Sequence, residues 1–209
     1  MKLYISASTI PDFQSLYDFS SFHQKLKDEN SWCPEFKEPV KSSLYKRLNS
    51  KPINTLTLED IAVLYTMHRV DYMKQFYDGD FVRWLEESWE EHEEDFKSCY
   101  EWVHTFTFPM KVYRAVTDEQ ELTQDISGKS RAWSWTTDYS LYSANNSIFN
   151  KVKHIYSAKI DANIISNIDT INNYVYYSSR PDYGRYPEYE VTLKPRYKMS
   201  DLHNLIKVK

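Results

Sequence analysis

Glycine is nearly absent from this 209-residue chain: there are three, Gly79, Gly128 and Gly184, and no two lie near each other. A Gly-x-Gly-x-x-Gly dinucleotide turn and a Walker-type phosphate loop both need clustered glycines, so neither is present. Any nucleotide bound here is held by another architecture. Cysteine is equally scarce, and Cys33 and Cys99 cannot staple a secreted scaffold, which points to a reducing compartment. No stretch approaches the roughly 20 apolar residues that a membrane span needs. The opening MKLYISASTIPDF has no long apolar segment and no leader-type cleavage pattern. The expectation is a cytoplasmic protein with no membrane partner.

What the chain does contain is a globular composition, 41% apolar, with 18 tyrosines and 6 tryptophans. Its length fits one large domain or two small ones with a real core. Charge divides it. Up to Thr105 there are 12 Lys and Arg against 19 Asp and Glu; from Phe106 onward there are 14 against 11. The halves therefore carry −7 and +3, matching the overall −4. Two functional surfaces follow from such asymmetry, although no partner does.

Residues 1–105 read as mainly helical. In TLEDIAVLYTMHRVDYMKQFY, Thr57 is an N-cap and Asp60 completes a capping-box variant. Ile61, Leu64, Tyr65, His68, Tyr72 and Phe76 then recur along one helical face. After the break at Asp78–Asp80, a second apolar stripe runs through Phe81, Trp84, Leu85, Trp89, His92, Phe96 and Val103. Its acidic back, EESWEEHEED, reads as a solvated helix face. The sharper alternative, His92 as a metal ligand, lacks a second histidine at i+4. FSSFHQKLKD and VKSSLYKRLN read as short helices.

From residue 106 the period changes to two. MKVYRAV, SRAWSWTTD, KHIYSAKI, EYEVTL and NLIKVK read as strands, and YVYYS as a further one. In SRAWSWTTD, Trp133 and Trp135 fall on one face and Ser134 and Thr136 on the other. Asp138 or Thr137 is placed to cap a short helix, YSLYSANNSIFN. The expected architecture is α+β: a helical N-terminal region, 1–105, packed on a mixed or antiparallel β-sandwich, 106–209. The boundary falls near HTFTFPM, where Pro109 ends the helical pattern.

The chemistry lies in three places. Arg114 sits inside an apolar strand, where its permanent charge demands an anion, either a carboxylate or a phosphate clamped bidentately. Ser134 is a solvated serine or a ribose contact. In YPEYEVTLKP two carboxylates, Glu188 and Glu190, are two residues apart; if the strand begins at Glu188, both project to one side. A glutamate facing a cleft can stabilise the cation that develops when a glycosidic bond breaks at a sugar's anomeric carbon.

The order VYRA, then WSWTTD, then EYEV, each on a strand, resembles the Arg–Ser–Glu signature of the ADP-ribosyltransferases related to clostridial binary toxins and arginine-specific enzymes. Tyr113-Arg114 matches the aromatic–arginine pair, Ser134-Trp135-Thr136 the Ser-x-Thr motif, and Glu188-Tyr189-Glu190 the Glu-x-Glu motif. The resemblance covers about residues 106–209 and implies an ADP-ribosyltransferase-like core using NAD as co-substrate, with no metal. It implies that Arg114 holds an NAD phosphate and that the backbone at Ala115 holds the nicotinamide amide. Ser134 would position the nicotinamide ribose and orient Glu190, and Thr136 would support that strand. Glu190 would stabilise the developing ribosyl cation, while Glu188 would engage the acceptor. Trp135 departs from the small-residue version of the serine motif, which leaves the acceptor class open.

Upstream, SSRPDYGRYP presents Tyr183 and Tyr186 around Gly184, where the family's acceptor loop lies. Gly184 can supply the φ > 0 of such a turn. The implied function is transfer of ADP-ribose to a macromolecular acceptor, protein arginine first. A base of RNA or DNA stacked on a loop tyrosine is the alternative within the chemistry. A non-catalytic acidic interaction module is the alternative outside it. The implied setting is a toxin or phage effector, with an inhibitor or antitoxin as candidate partner.

Overall fold

The computed structural model describes residues 43–72, 81–118, 122, 134–142, 154–178, 189–195 and 197–209. The chain divides into two units, Met1–Thr105 and Phe106–Lys209. In the first, the described elements are α1 (Ser43–Ser50), a 3-10 turn at Ile53–Thr55, α2 (Leu58–Tyr72) and α3 (Phe81–His104).

Helix α2 begins with the expected reciprocal cap: Asp60 N donates to Thr57 Oγ1, and Thr57 N donates to Asp60 Oδ2, both at 3.1 Å. Each bond satisfies an amide that a helix start would otherwise leave open. Helices α2 and α3 pack on one another, with the Tyr65 and Phe96 rings 5.4 Å apart, and Ile61, Leu64, Tyr65, Leu85, Trp89 and Phe96 are all buried. Glu86, Glu87, Glu90 and Glu94 are exposed, so the acidic back of α3 is a solvated face. No group of three or more His, Cys, Asp or Glu among the described residues could hold a metal.

His92 lies in the apolar stripe but does more than fill it. The backbone leaves helical geometry there, at φ −130° and ψ 19°. Its Nε2 meets the Tyr65 hydroxyl at 2.9 Å and its Nδ1 meets Asp95 Oδ2 at 3.3 Å. Cys99 is fully buried one turn beyond Asp95; burial, then the Asp95 charge, push its thiol well above the usual range. A thiol so protonated is an inert packing group.

The second unit is built on one antiparallel sheet of β1 (Met110–Val116), β2 (Ser134–Thr136), β3 (His154–Ile160), β4 (Glu190–Thr192) and β5 (His203–Lys207). The spatial order is β4-β2-β1-β3-β5. The architecture is α+β. The five strands all belong to this sheet, and the second sheet of a sandwich is not found among the described residues. Met110, Val112, Val116, Trp135 and Val191 are buried on one of its faces. A register shift between Ser157 and Lys159 marks the β3–β5 pairing, and Asn204 in β5 takes a left-handed φ of 52°. Asparagine tolerates that region better than most residues.

Two expected elements take other forms. YVYYS is not a strand: it closes helix α4 (Asn167–Ser178). Ile168, Ile171, Tyr174 and Val175 are buried at helical spacing, and that common face outweighs the strand preference of Tyr and Val. Ser166 and Asp169 join side chains at its start. The expected helix after Asp138 is a short 3-10 turn, Tyr139–Tyr142, within the described residues. Asp138 does cap it, accepting from Ser140 N at 2.8 Å.

Candidate functional site

Strands β4, β2 and β1 are successive neighbours, so the arginine, serine and glutamate motifs are side by side. In register, Glu190 faces Thr136, and Thr136 faces Tyr113, which faces Ser157 on β3. One pair along, Thr192 faces Ser134. Residues opposite one another in an antiparallel pair share a face. Glu190, Thr192, Ser134, Thr136 and Tyr113 therefore belong to one face, and Ala115 joins them by alternation.

Arg114 leaves β1 on the other face, level with Trp135. Its Nη1 donates to the backbone carbonyl of Ser134 at 2.7 Å. The half-buried guanidinium thus ties the serine's strand to its own, a charge-assisted bond stronger than a neutral one. The Ser134 hydroxyl receives no hydrogen bond from another described side chain and points to the face of Glu190. Thr136 is buried, and its Oγ1 accepts from Asp138 N at 3.0 Å, holding the turn that follows β2. That turn carries Tyr139, 40% exposed, whose ring lies 5.0 Å from that of Tyr113.

The strand of the Glu-x-Glu motif starts at Glu190, not Glu188. Tyr189 has a left-handed φ of 45°, so the chain is not extended across the motif, and simple alternation does not put both acids on one side. Such a conformation is costly for a bulky residue and persists only where its surroundings impose it. Here Thr137 imposes it: its N and Oγ1 both donate to Tyr189 O, at 3.0 and 3.3 Å. The Tyr189 ring also lies 6.3 Å from Tyr174 of α4. Glu188, Tyr183 and Tyr186 lie outside the described residues.

Sequence reasoning missed Asn173. From α4, its Nδ2 donates to Glu190 Oε2 at 3.3 Å and to Thr192 Oγ1 at 3.2 Å. The helix that carries it is itself joined to β4: Ser166 N donates to Thr192 O at 2.8 Å, and Thr192 N donates to Thr170 Oγ1 at 3.0 Å. These bonds, with Lys194 N to Ile164 O at 2.7 Å, satisfy the outer edge of β4. The signal for α4 was present in the sequence as Ser166-x-x-Asp169, the same capping pattern as Thr57-x-x-Asp60.

Fold and site together define an α+β protein with a half-buried carboxylate set among hydroxyl groups on an antiparallel sheet. No protein-family model, no curated protein and no solved structure matches this chain.

Proposed function

We propose that this chain is an NAD-dependent mono-ADP-ribosyltransferase whose acceptor is protein arginine. The observation that carries the reading is the adjacency of β2 and β4, whose register sets Ser134 and Glu190, distant in sequence, on one face of the sheet, with Arg114 bracing β2 from the other face. Chance occurrence of three short motifs does not require neighbouring strands. Adjacent strands are what a shared site needs.

In this reading the bond between ribose C1′ and the nicotinamide nitrogen breaks, and nicotinamide leaves with the bonding pair. Positive charge develops at C1′, and the Glu190 carboxylate stabilises it from a fixed position. The Ser134 hydroxyl, on the same face, supplies a ribose contact. Thr136 sets the turn carrying Tyr139, and Arg114 acts from the opposite face, fixing β2 through the Ser134 carbonyl instead of meeting the phosphate beside Glu190. The backbone near Ala115 contributes to the nicotinamide pocket. An arginine nitrogen of the acceptor then forms the new bond to C1′ and gives up a proton, with Glu188 as its carboxylate partner and Tyr183 and Tyr186 as flanking contacts. No metal enters the scheme.

The test is incubation of the purified protein with NAD labelled on its adenine half in a cell lysate, followed by parallel digestion with protease and with nuclease. Label released by protease supports protein transfer. Label released only by nuclease keeps the chemistry and moves the acceptor to a nucleic-acid base. Neither label nor free nicotinamide overturns the enzyme and leaves an interaction module.

A further inference from the structure

From the geometry around Glu190 we infer that Asn173 is its positioning residue, holding the carboxylate ionised and aimed before substrate arrives. The inference rests on the reading of Glu190 as the carboxylate that stabilises the ribosyl cation. A carboxylate can only accept, so the side of the Asn173 amide facing Glu190 is its NH₂ group. That group has two hydrogens and two acceptors, Glu190 Oε2 at 3.3 Å and Thr192 Oγ1 at 3.2 Å. The two acceptors are alternate residues of β4 on one face, so a single amide spans the strand and fixes the Glu190 rotamer against it.

Docking of α4 does not account for this contact. Buried Ile168, Ile171, Tyr174 and Val175, with the bonds from Ser166 N and Thr192 N, already join the helix to the sheet. Asn173 adds a donor aimed at the one acidic side chain of β4. A donor to the ionised form favours that form and holds its charge where charge will be needed.

Three proteins test this: wild type, Asn173→Ala and Asn173→Asp, each checked for an unchanged unfolding midpoint. The readouts are kcat and KM for nicotinamide release across pH, and the Glu190 carboxyl titration followed by ¹³C NMR. Asn173→Ala is expected to lower kcat by about 10- to 100-fold with little change in KM for NAD, the loss of one hydrogen bond to a charged group. Asn173→Asp sets a second carboxylate against Glu190, which raises the pH at which Glu190 ionises. The acid limb of the kcat profile and the NMR titration then both move upward, by about one pH unit or more. An active wild type whose Glu190 titration and pH profile are unmoved by either variant overturns the positioning role alone. A wild type that releases no nicotinamide overturns the reading of Glu190 and this role with it, even if the NMR titration shifts.

Discussion

Among the described residues, the buried polar side chains of the helical unit are Thr66, Ser88 and His92; those of the sheet unit are Thr136, Ser157, Ser166, Asn167, Thr170 and Thr192. In the first set, Thr66 and His92 make separate bonds. Thr66 Oγ1 donates to Ala62 O one turn back, and His92 is held between Tyr65 and Asp95 where α3 departs from helical geometry. Part of the second set joins up. Ser166, Thr170 and Thr192 are linked along the edge of β4, and Asn173 extends the chain of bonds to Glu190. Connected polar groups in a partly dry environment hold one another in place, and a site needs that more than a core does. The difference teaches where to look for chemistry: at the half-buried carboxylate that this network reaches through Asn173.

The contrast can be broken in several places, and the largest effect belongs to the apolar core of the helical unit. Phe96 is fully buried with Trp89 and Tyr65 rings within 5.7 Å, so Phe96→Ala should cost about 3–5 kcal/mol, read as a lowered urea midpoint. A cost below 1 kcal/mol would mean that the α2–α3 core is not packed as described. Next comes His92→Leu, which takes a hydrogen-bond partner from the buried side of Tyr65 and should cost about 1–3 kcal/mol. Adding Tyr65→Phe should restore part of that loss; strict additivity of the two changes would show that the pair is not coupled.

Smaller effects sharpen the same picture. Thr57→Ala removes one half of the reciprocal cap on α2 and should cost about 1 kcal/mol by chemical denaturation. The smallest effect is electrostatic. Burial pushes the Glu91 carboxyl up, but the hydrogen bond and charge of Arg69, 2.7 Å away, and then His92, hold it below its usual value of 4.5. A carboxylate with a depressed folded value stabilises the fold above its unfolded value, and that stability fades as pH falls through the folded one. Glu91 is more than half exposed, so screening reduces the contribution to a few tenths of a kcal/mol, roughly. Arg69→Met should flatten the stability profile between about pH 5 and 3; an unchanged profile would assign the acid sensitivity to other carboxylates.

How much of this was legible depended on whether one local signal dominated. Thr57 with Asp60, and the stripe through Leu85, Trp89 and Phe96, announced α2 and α3 because cap and period agreed. MKVYRAV announced β1, residue for residue, because alternation and β-branched residues agreed. Helix α4 was hidden because its tyrosines and isoleucines favour strands locally, while its burial against β4 is a tertiary effect. Asn173 was hidden with it. The left-handed Tyr189 could not be read either, since tyrosine carries no preference for that region and Thr137, which helps hold it there, is distant in sequence. Sheet order was likewise out of reach, yet it is what brings the three motif strands together.

The most direct measurement is nicotinamide release from NAD by wild type and by Glu190→Gln, with folding of both confirmed by circular dichroism and thermal midpoint. The substitution keeps the shape and removes the charge. The account predicts steady release by wild type and a fall of about 10²–10³ in the variant at an unchanged midpoint. Equal release by the two folded proteins would contradict it, because the carboxylate that Asn173 holds would then have no part in the chemistry.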